Sequence, residues 1–156
     1  MEARAAELLA GRFGLVAGLV DIEGVPYATR TYGITVVEER PLRLRVVLPL
    51  DDGLPLCIGE EVGPIALTAT EPLTLRSVQF KGRAGPVEPA TAEDRATVAR
   101  CCDSFFSALM EIDGYERSFL ERVVPADFLV CSVDVDELYD QTPGPGAGAA
   151  ISGAAS

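Results

Sequence analysis

Histidine and tryptophan are absent from this chain of 156 residues, and the only lysine is Lys81. Without histidine, Ser-His-Asp and Cys-His nucleophilic chemistry is excluded, as is the usual general base near neutral pH. The same absence removes a principal ligand of zinc and of haem iron, so no metal site is expected. Cysteine is scarce and badly spaced for chelation: Cys57, Cys101, Cys102 and Cys131 include none of the spaced pairs used by zinc sites or redox motifs. On a helix, adjacent Cys101 and Cys102 would point about 100° apart, so the cysteines read as small buried hydrophobes. Positive charge is also short, with 13 basic against 24 acidic residues and a net charge of −11. Counterion release would therefore act against nucleic acid, and an anionic membrane is an equally poor partner. No apolar run approaches the ~20 residues of a membrane span, and the opening Met1-Glu2-Ala3-Arg4 lacks the basic-then-apolar order of a signal peptide. The expectation is a cytoplasmic protein.

What is present is enough apolar residue for a core, 48% of the chain, in a length that suits one domain. Residues 1–10 read as a short helix ending near Gly11. Phe13 to Val20, a turn at Asp21 to Pro26, and Tyr27 to Val37 read as a hairpin of two strands. Leu42, Leu44, Val46 and Leu48 alternate with Arg43, Arg45 and Val47 as a third strand. Pro49 to Gly63 is a Pro/Gly/Asp loop with room for one helical turn near Leu56 to Gly59, Pro64 to Thr70 a fourth strand, and Leu75 to Ala84 a fifth. Thr91 is placed to cap a helix whose apolar residues, Val98, Cys101, Cys102, Phe105, Phe106, Leu109 and Ile112, recur at three and four until Gly114. Their stripe reads as core or subunit interface. Phe128 to Val135 is the sixth strand. Residues 1–140 form the expected domain, and 141–156, rich in Pro, Gly and Ala, are expected to be a flexible tail.

The fifth strand carries the densest set of site-forming side chains. Val78, Phe80 and Ala84 share one face, while Ser77, Gln79, Lys81 and Arg83 share the other. A hydroxyl, an amide and two cations can hold a polar or anionic ligand, and they equally make an ordinary solvated face. Arg30, flanked by Thr29 and Thr31, suits anion recognition, or else pairing with an acidic neighbour. Tyr27 and Tyr32 could stack on a planar ring or pack the barrel. Asp134 and Asp136 share a strand face but have no acid/base partner, so they read as solvated. Taken together, the elements are mainly β, with a small barrel and one long helix packed on it.

The segment Arg76 to Arg83 with Val87 to Arg95, the opening hairpin from Ala17 to Pro26, and the ending Tyr139 to Gly148 resemble the pyridoxamine 5′-phosphate oxidase-like, FMN-binding split-barrel family. The ending is similar to that of an actinobacterial-looking branch of single-domain members. The resemblance implies an α+β fold, a six-stranded antiparallel split barrel with one long helix between strands five and six and short flanking helices. It implies a homodimer with FMN in a groove between subunits, and an FMN-dependent oxidoreductase acting on a small molecule. Thr29, Arg30, Thr31, Ser77, Gln79 and Lys81 are the implied cofactor-binding residues; no catalytic residue is singled out. The chain departs from the family's phosphate clamp. Thr35 stands where a lysine would follow the second-strand arginine, and no Lys or Arg occurs between Val46 and Leu75, where Asp51, Asp52, Glu60 and Glu61 lie. That departure keeps open an alternative, a cofactor-free or small-ligand-binding split-barrel dimer that has lost the clamp.

Overall fold

In the computed structural model, residues 3–21, 23–50 and 63–152 are described. The elements run α1 (Ala3–Leu9), β1 (Gly14–Val20), β2 (Pro26–Thr31), β3 (Gly33–Glu39), β4 (Leu42–Pro49), β5 (Gly63–Thr70), β6 (Ser77–Ala84), β7 (Glu88–Pro89), α2 (Ala92–Asp113), α3 (Arg117–Leu120), a 3₁₀ turn (Glu121–Val123), β8 (Phe128–Asp140) and β9 (Ala150–Ser152). Among the described residues the strands form one antiparallel sheet of nine, ordered β2-β1-β5-β6-β8-β4-β3, with β7 and β9 both paired to β8. The path of hydrogen bonds is open, with β2 and β3 at its ends.

The expected six strands become nine: β7 is a two-residue addition, and the other two have identifiable reasons. The run from Tyr27 to Val37 is continuous in β-formers, yet it changes partner at Tyr32. Thr31 is paired with Leu15 of β1, whereas Gly33 is paired with Val47 of β4, and the Tyr32 N–H donates to the Val47 carbonyl at 2.9 Å. One strand by pattern is thus two strands by pairing. Residues 141–152 of the Pro/Gly/Ala-rich segment also fold back: Asp140 N–H donates to the Ala149 carbonyl at 2.9 Å, β9 pairs with Leu138 and Tyr139, and Ile151 packs against the core. The sixth strand extends five residues beyond Val135, to Asp140. The helical turn expected near Leu56 to Gly59 lies outside the described residues.

Inner faces of the strands meet in a core where Leu44, Val46, Leu67, Phe80 and Val133 are wholly enclosed. Each follows the period-two alternation of its strand. The long helix α2 starts and stops where its cap residues dictate. Thr91 and Asp94 form a reciprocal capping box, and Gly114 ends the helix in the left-handed region at φ 68°. The N-terminal half of α2 lies on the outer side of β3 and β4, where Val98 joins Val47, Phe128 and Val130 in a second apolar cluster. Arg45, facing outward on β4, fastens that half with paired bonds to the Asp94 carboxylate at 2.6 and 2.9 Å. Farther along, Phe105 reaches the outer side of β1, so closely that a side chain at Gly14 would meet the ring at 2.8 Å. Helix α2 therefore bridges the two ends of the open sheet.

Candidate functional site

Beneath the second half of α2, between that helix and the outer face of β1, β2 and β5, lies a cavity of about 440 Å³. Its wall is apolar, made by Phe105, Phe106 and Leu109 of α2 together with Cys101, Cys102, Phe13 and Pro72. Its floor is the sheet, and strand register sets which side chains reach it. Arg30 of β2 is opposite Val16 of β1, Val16 opposite Thr68 of β5, and Thr68 opposite Gln79 of β6. One row along, Gly14 is opposite Thr70, and Thr70 opposite Ser77. The cavity borders Arg30, Val16, Gly14, Thr68 and Thr70 from these rows. A cation and two hydroxyls thus edge a space otherwise made of rings and aliphatic chains.

Arg30 forms no ion pair with a carboxylate among the described residues, and it lies beside the Tyr32 phenol. The phenol donates to the Val123 carbonyl at 2.8 Å, and burial raises its pKa despite the opposing effect of the Arg30 charge. Both cavity thiols are held protonated by the same desolvation: Cys102 is pushed up to about 11, and Cys101 is raised. These thiols are packing groups at neutral pH, with the thiolate needed for nucleophilic chemistry suppressed.

The six residues expected to bind cofactor are divided by this geometry. Arg30 and Thr31 border the cavity. Strand alternation turns Thr31 to the opposite face from Arg30, and its Oγ1 is buried with no hydrogen-bond partner among the described residues. Thr29 shares that opposite face, its hydroxyl 3.4 Å from the Arg30 carbonyl oxygen. Ser77 and Gln79 stand one strand behind the cavity, where they touch its lining residues Thr70 and Thr68. Lys81 lies elsewhere, over the Tyr139 ring at 4.6 Å and beside a second, shallower hollow of about 290 Å³ between β1, β5 and β6. Ser77 itself is buried, so the polar face of β6 begins as part of the interior and becomes exposed only at Lys81.

Thr68 and Thr70 were not singled out by sequence reasoning. Their signal was the alternation of Ala66, Thr68 and Thr70 with Ile65, Leu67 and Ala69, which puts a polar strip on the outer face of β5. What the alternation does not carry is that α2 would roof that strip.

Among the described residues no helix is long and apolar enough to cross a membrane, and no cluster of ligands could hold a metal. No family model matches the chain, and no curated protein matches it. Solved structures do share its fold. HupZ of Group A Streptococcus superposes with a TM-score of 0.58 at 14% identity, over 95% of this chain and 99% of that one. An F420 reductase superposes with a TM-score of 0.54 at 15% identity, over 85% and 93%. A pyridoxamine 5′-phosphate oxidase candidate from Lactobacillus delbrueckii gives 0.50 at 16%, over 89% and 93%. The mainly β, antiparallel architecture implied by the sequence resemblance is thus found, with nine strands in an open sheet instead of six in a barrel and the long helix between β7 and β8.

Proposed function

We propose that this chain, which has the fold of those structures, is a flavin-binding protein related to pyridoxamine 5′-phosphate oxidase and works as an FMN-dependent oxidoreductase on a small molecule. The observation that carries the reading is the roofed cavity itself. Its volume of about 440 Å³ is within the range of cofactor sites, and its donor set is that of a planar, apolar ring with a polar edge and an anionic end. Arg30 supplies the cation, Thr68 and Thr70 the polar edge, and Phe105 and Leu109 an apolar flank that keeps water from a bound ring. FMN, when bound, supplies the hydride or electron chemistry; the chain binds, orients and desolvates it.

The test is spectral. Purified protein should show the flavin absorption bands or take up added FMN stoichiometrically, and Arg30→Gln should weaken uptake by roughly tenfold or more, as loss of a charge-assisted hydrogen bond does. Absence of flavin bands with no saturable FMN titration overturns the reading. We extend the proposal to a homodimer: the outer face of β1 leaves Val16 at 49% and Val20 at 37% exposure, beside the cavity and the shallower hollow. A monomer mass by light scattering at micromolar concentration would count against it. A second reading, a binding protein for small planar ligands with no phosphate clamp, is favoured by one specific fact. Among the described residues Arg30 is the one cation lining the cavity. Retention of FMN through gel filtration rejects that alternative.

A further inference from the structure

Two hydrogen-bonded chains reach the cavity through β6 and run in opposite directions, one from the segment after β8 towards the cavity and one from the cavity to Leu75. In the first, the Gln141 amide donates to the Gln79 carbonyl oxygen at 3.4 Å, and the Gln79 amide donates onward to Thr68 Oγ1 at 3.1 Å. A hydroxyl has one hydrogen and two acceptor lone pairs. Thr68 therefore receives from Gln79 and keeps its hydrogen. In the second, Ser77 Oγ spends its hydrogen on the Leu75 carbonyl at 3.0 Å, while Thr70 Oγ1 lies 2.9 Å from Ser77 Oγ. Thr70 must be the donor of that pair, and it retains only lone pairs. Thr142 fixes Ser77 from behind, its Oγ1 accepting from the Ser77 N–H at 3.0 Å and from Arg4 at 3.1 Å.

We propose that β5 presents the cavity with an ordered pair, a hydrogen-bond donor at Thr68 and an acceptor at Thr70, which selects a planar ligand by an edge carrying a carbonyl oxygen beside an N–H. That is the edge of a cyclic amide or imide. The two threonines are two residues apart on one face of a strand that rises about 3.3 Å per residue, so both hydroxyls can reach neighbouring atoms of a single edge. Thr68 keeps a lone pair beside its hydrogen, but Thr70, with its hydrogen spent on Ser77, cannot donate, so a reversed edge leaves its carbonyl oxygen unpaired at Thr70. A ligand with the wrong polarity leaves a desolvated group unpaired, and a site built on hydrogen bonds discriminates most strongly in that way. The roof of Phe105, Phe106 and Leu109 adds the preference for a flat ring.

This deepens the flavin reading, since the pyrimidine edge of a flavin is an imide, and it uses FMN as one probe on that basis. A second pair of probes, 1,8-naphthalimide and its N-methyl derivative, tests the edge without a flavin. The wild-type chain should bind FMN about three- to tenfold more tightly than N3-methyl-FMN, and naphthalimide more tightly than N-methylnaphthalimide by a similar factor, the loss expected for one hydrogen bond. Thr70→Val should bring each pair to equal affinity, and Thr70→Ser should restore the difference. General damage to the cavity would instead weaken both members alike. Thr68→Val should weaken all four probes, because each retains its carbonyl oxygen. Equal wild-type binding within each pair, or a Thr70→Val protein that still discriminates, overturns the proposal while leaving the flavin reading intact if FMN binds. Naphthalimide discrimination without FMN uptake sustains the edge assignment and overturns the flavin reading. If neither FMN nor naphthalimide binds, both fall.

Discussion

At the scale of single residues, Gly82 shows how little freedom the site strand has. It lies at the irregularity in register where β6 crosses β8, and a Cβ there would run into the carbonyl oxygen of Asp134. Backbone cannot swing aside as a side chain can. Gly82→Ala is therefore expected to destabilise the fold by about 3 kcal/mol or more, measured by chemical denaturation, at the upper end of overpacking costs. Gly14→Ala differs in kind, because the atom met at 2.8 Å is the edge of the Phe105 ring, which can rotate. That change should cost about 1 kcal/mol in stability and show itself chiefly as altered ligand affinity, since the displaced ring is part of the cavity wall. The thiols give a prediction of opposite character. Desolvation pushes Cys102 up to about 11 and Cys131 up to about 12. Both thus remain protonated across the physiological range, and alkylation of these two residues at pH 7.5, followed by mass spectrometry, should be far slower in the folded protein than in urea.

At the scale of elements, α2 matters most, because it is at once the roof of the cavity and the bridge between the two ends of the sheet. Its N-terminus is held by Asp94, whose carboxylate accepts from the Thr91 N–H at 2.8 Å and from Arg45 Nε at 2.6 Å. Arg45 in turn reaches Glu88 on β7 at 2.7 Å. The Arg45 guanidinium, joined by the Thr91 hydroxyl and N–H, holds the Asp94 carboxyl well below the usual carboxylate range, against the burial that pushes it up. A depressed folded-state value means that the unfolded chain binds the proton first. This stabilisation is therefore complete above the ordinary aspartate value of about 4 and is lost as pH falls below it. Asp94→Asn should cost about 1–3 kcal/mol at pH 7, combining a weakened capping box with loss of the enclosed partner of Arg45, which keeps only the exposed Glu88. It should also flatten the acid side of the stability profile between about pH 4 and pH 2, read by thermal melts across that range.

At the scale of the whole molecule, the chain's last described segment joins its first helix to the strand behind the cavity. Arg4 of α1 meets Asp140 at 2.6 Å, Gln141 N–H donates to the Ser77 carbonyl at 2.9 Å, and Ile151 and Leu9 both pack against the main core. Ending the chain after Asp140 should accordingly lower the melting temperature by several degrees and release Ser77 and Gln79 from Thr142 and Gln141. Hydrogen exchange should then quicken at the Ser77 amide, whose acceptor is the Thr142 hydroxyl. Unchanged melting and exchange would mean that the segment contributes nothing to β6.

Periodicity by itself determined the inner face of every long strand, because a period of two leaves only one set of side chains able to leave water together. It placed Leu44, Val46, Val78 and Phe80 in the core, and the caps Thr91 and Gly114 bounded α2 because unsatisfied helix ends demand such residues. The choice of partner was not written in that pattern. Tyr27 to Val37 looks like one strand since it is rich in β-branched and aromatic residues, and only the pairing within the sheet decides that β2 lies against β1 while β3 lies against β4. The candidate site was half legible for the same reason. Arg30, Ser77 and Gln79 could be singled out as polar residues on strands, but Thr68 and Thr70 became cavity residues only when α2 was laid across β5. The assignment of donor and acceptor to those two threonines arises from Ser77, Gln79, Leu75 and Gln141, which lie up to 73 residues away from them in the chain. Local sequence fixes what each residue can offer, and tertiary contact fixes which of its hydrogens and lone pairs are already spent.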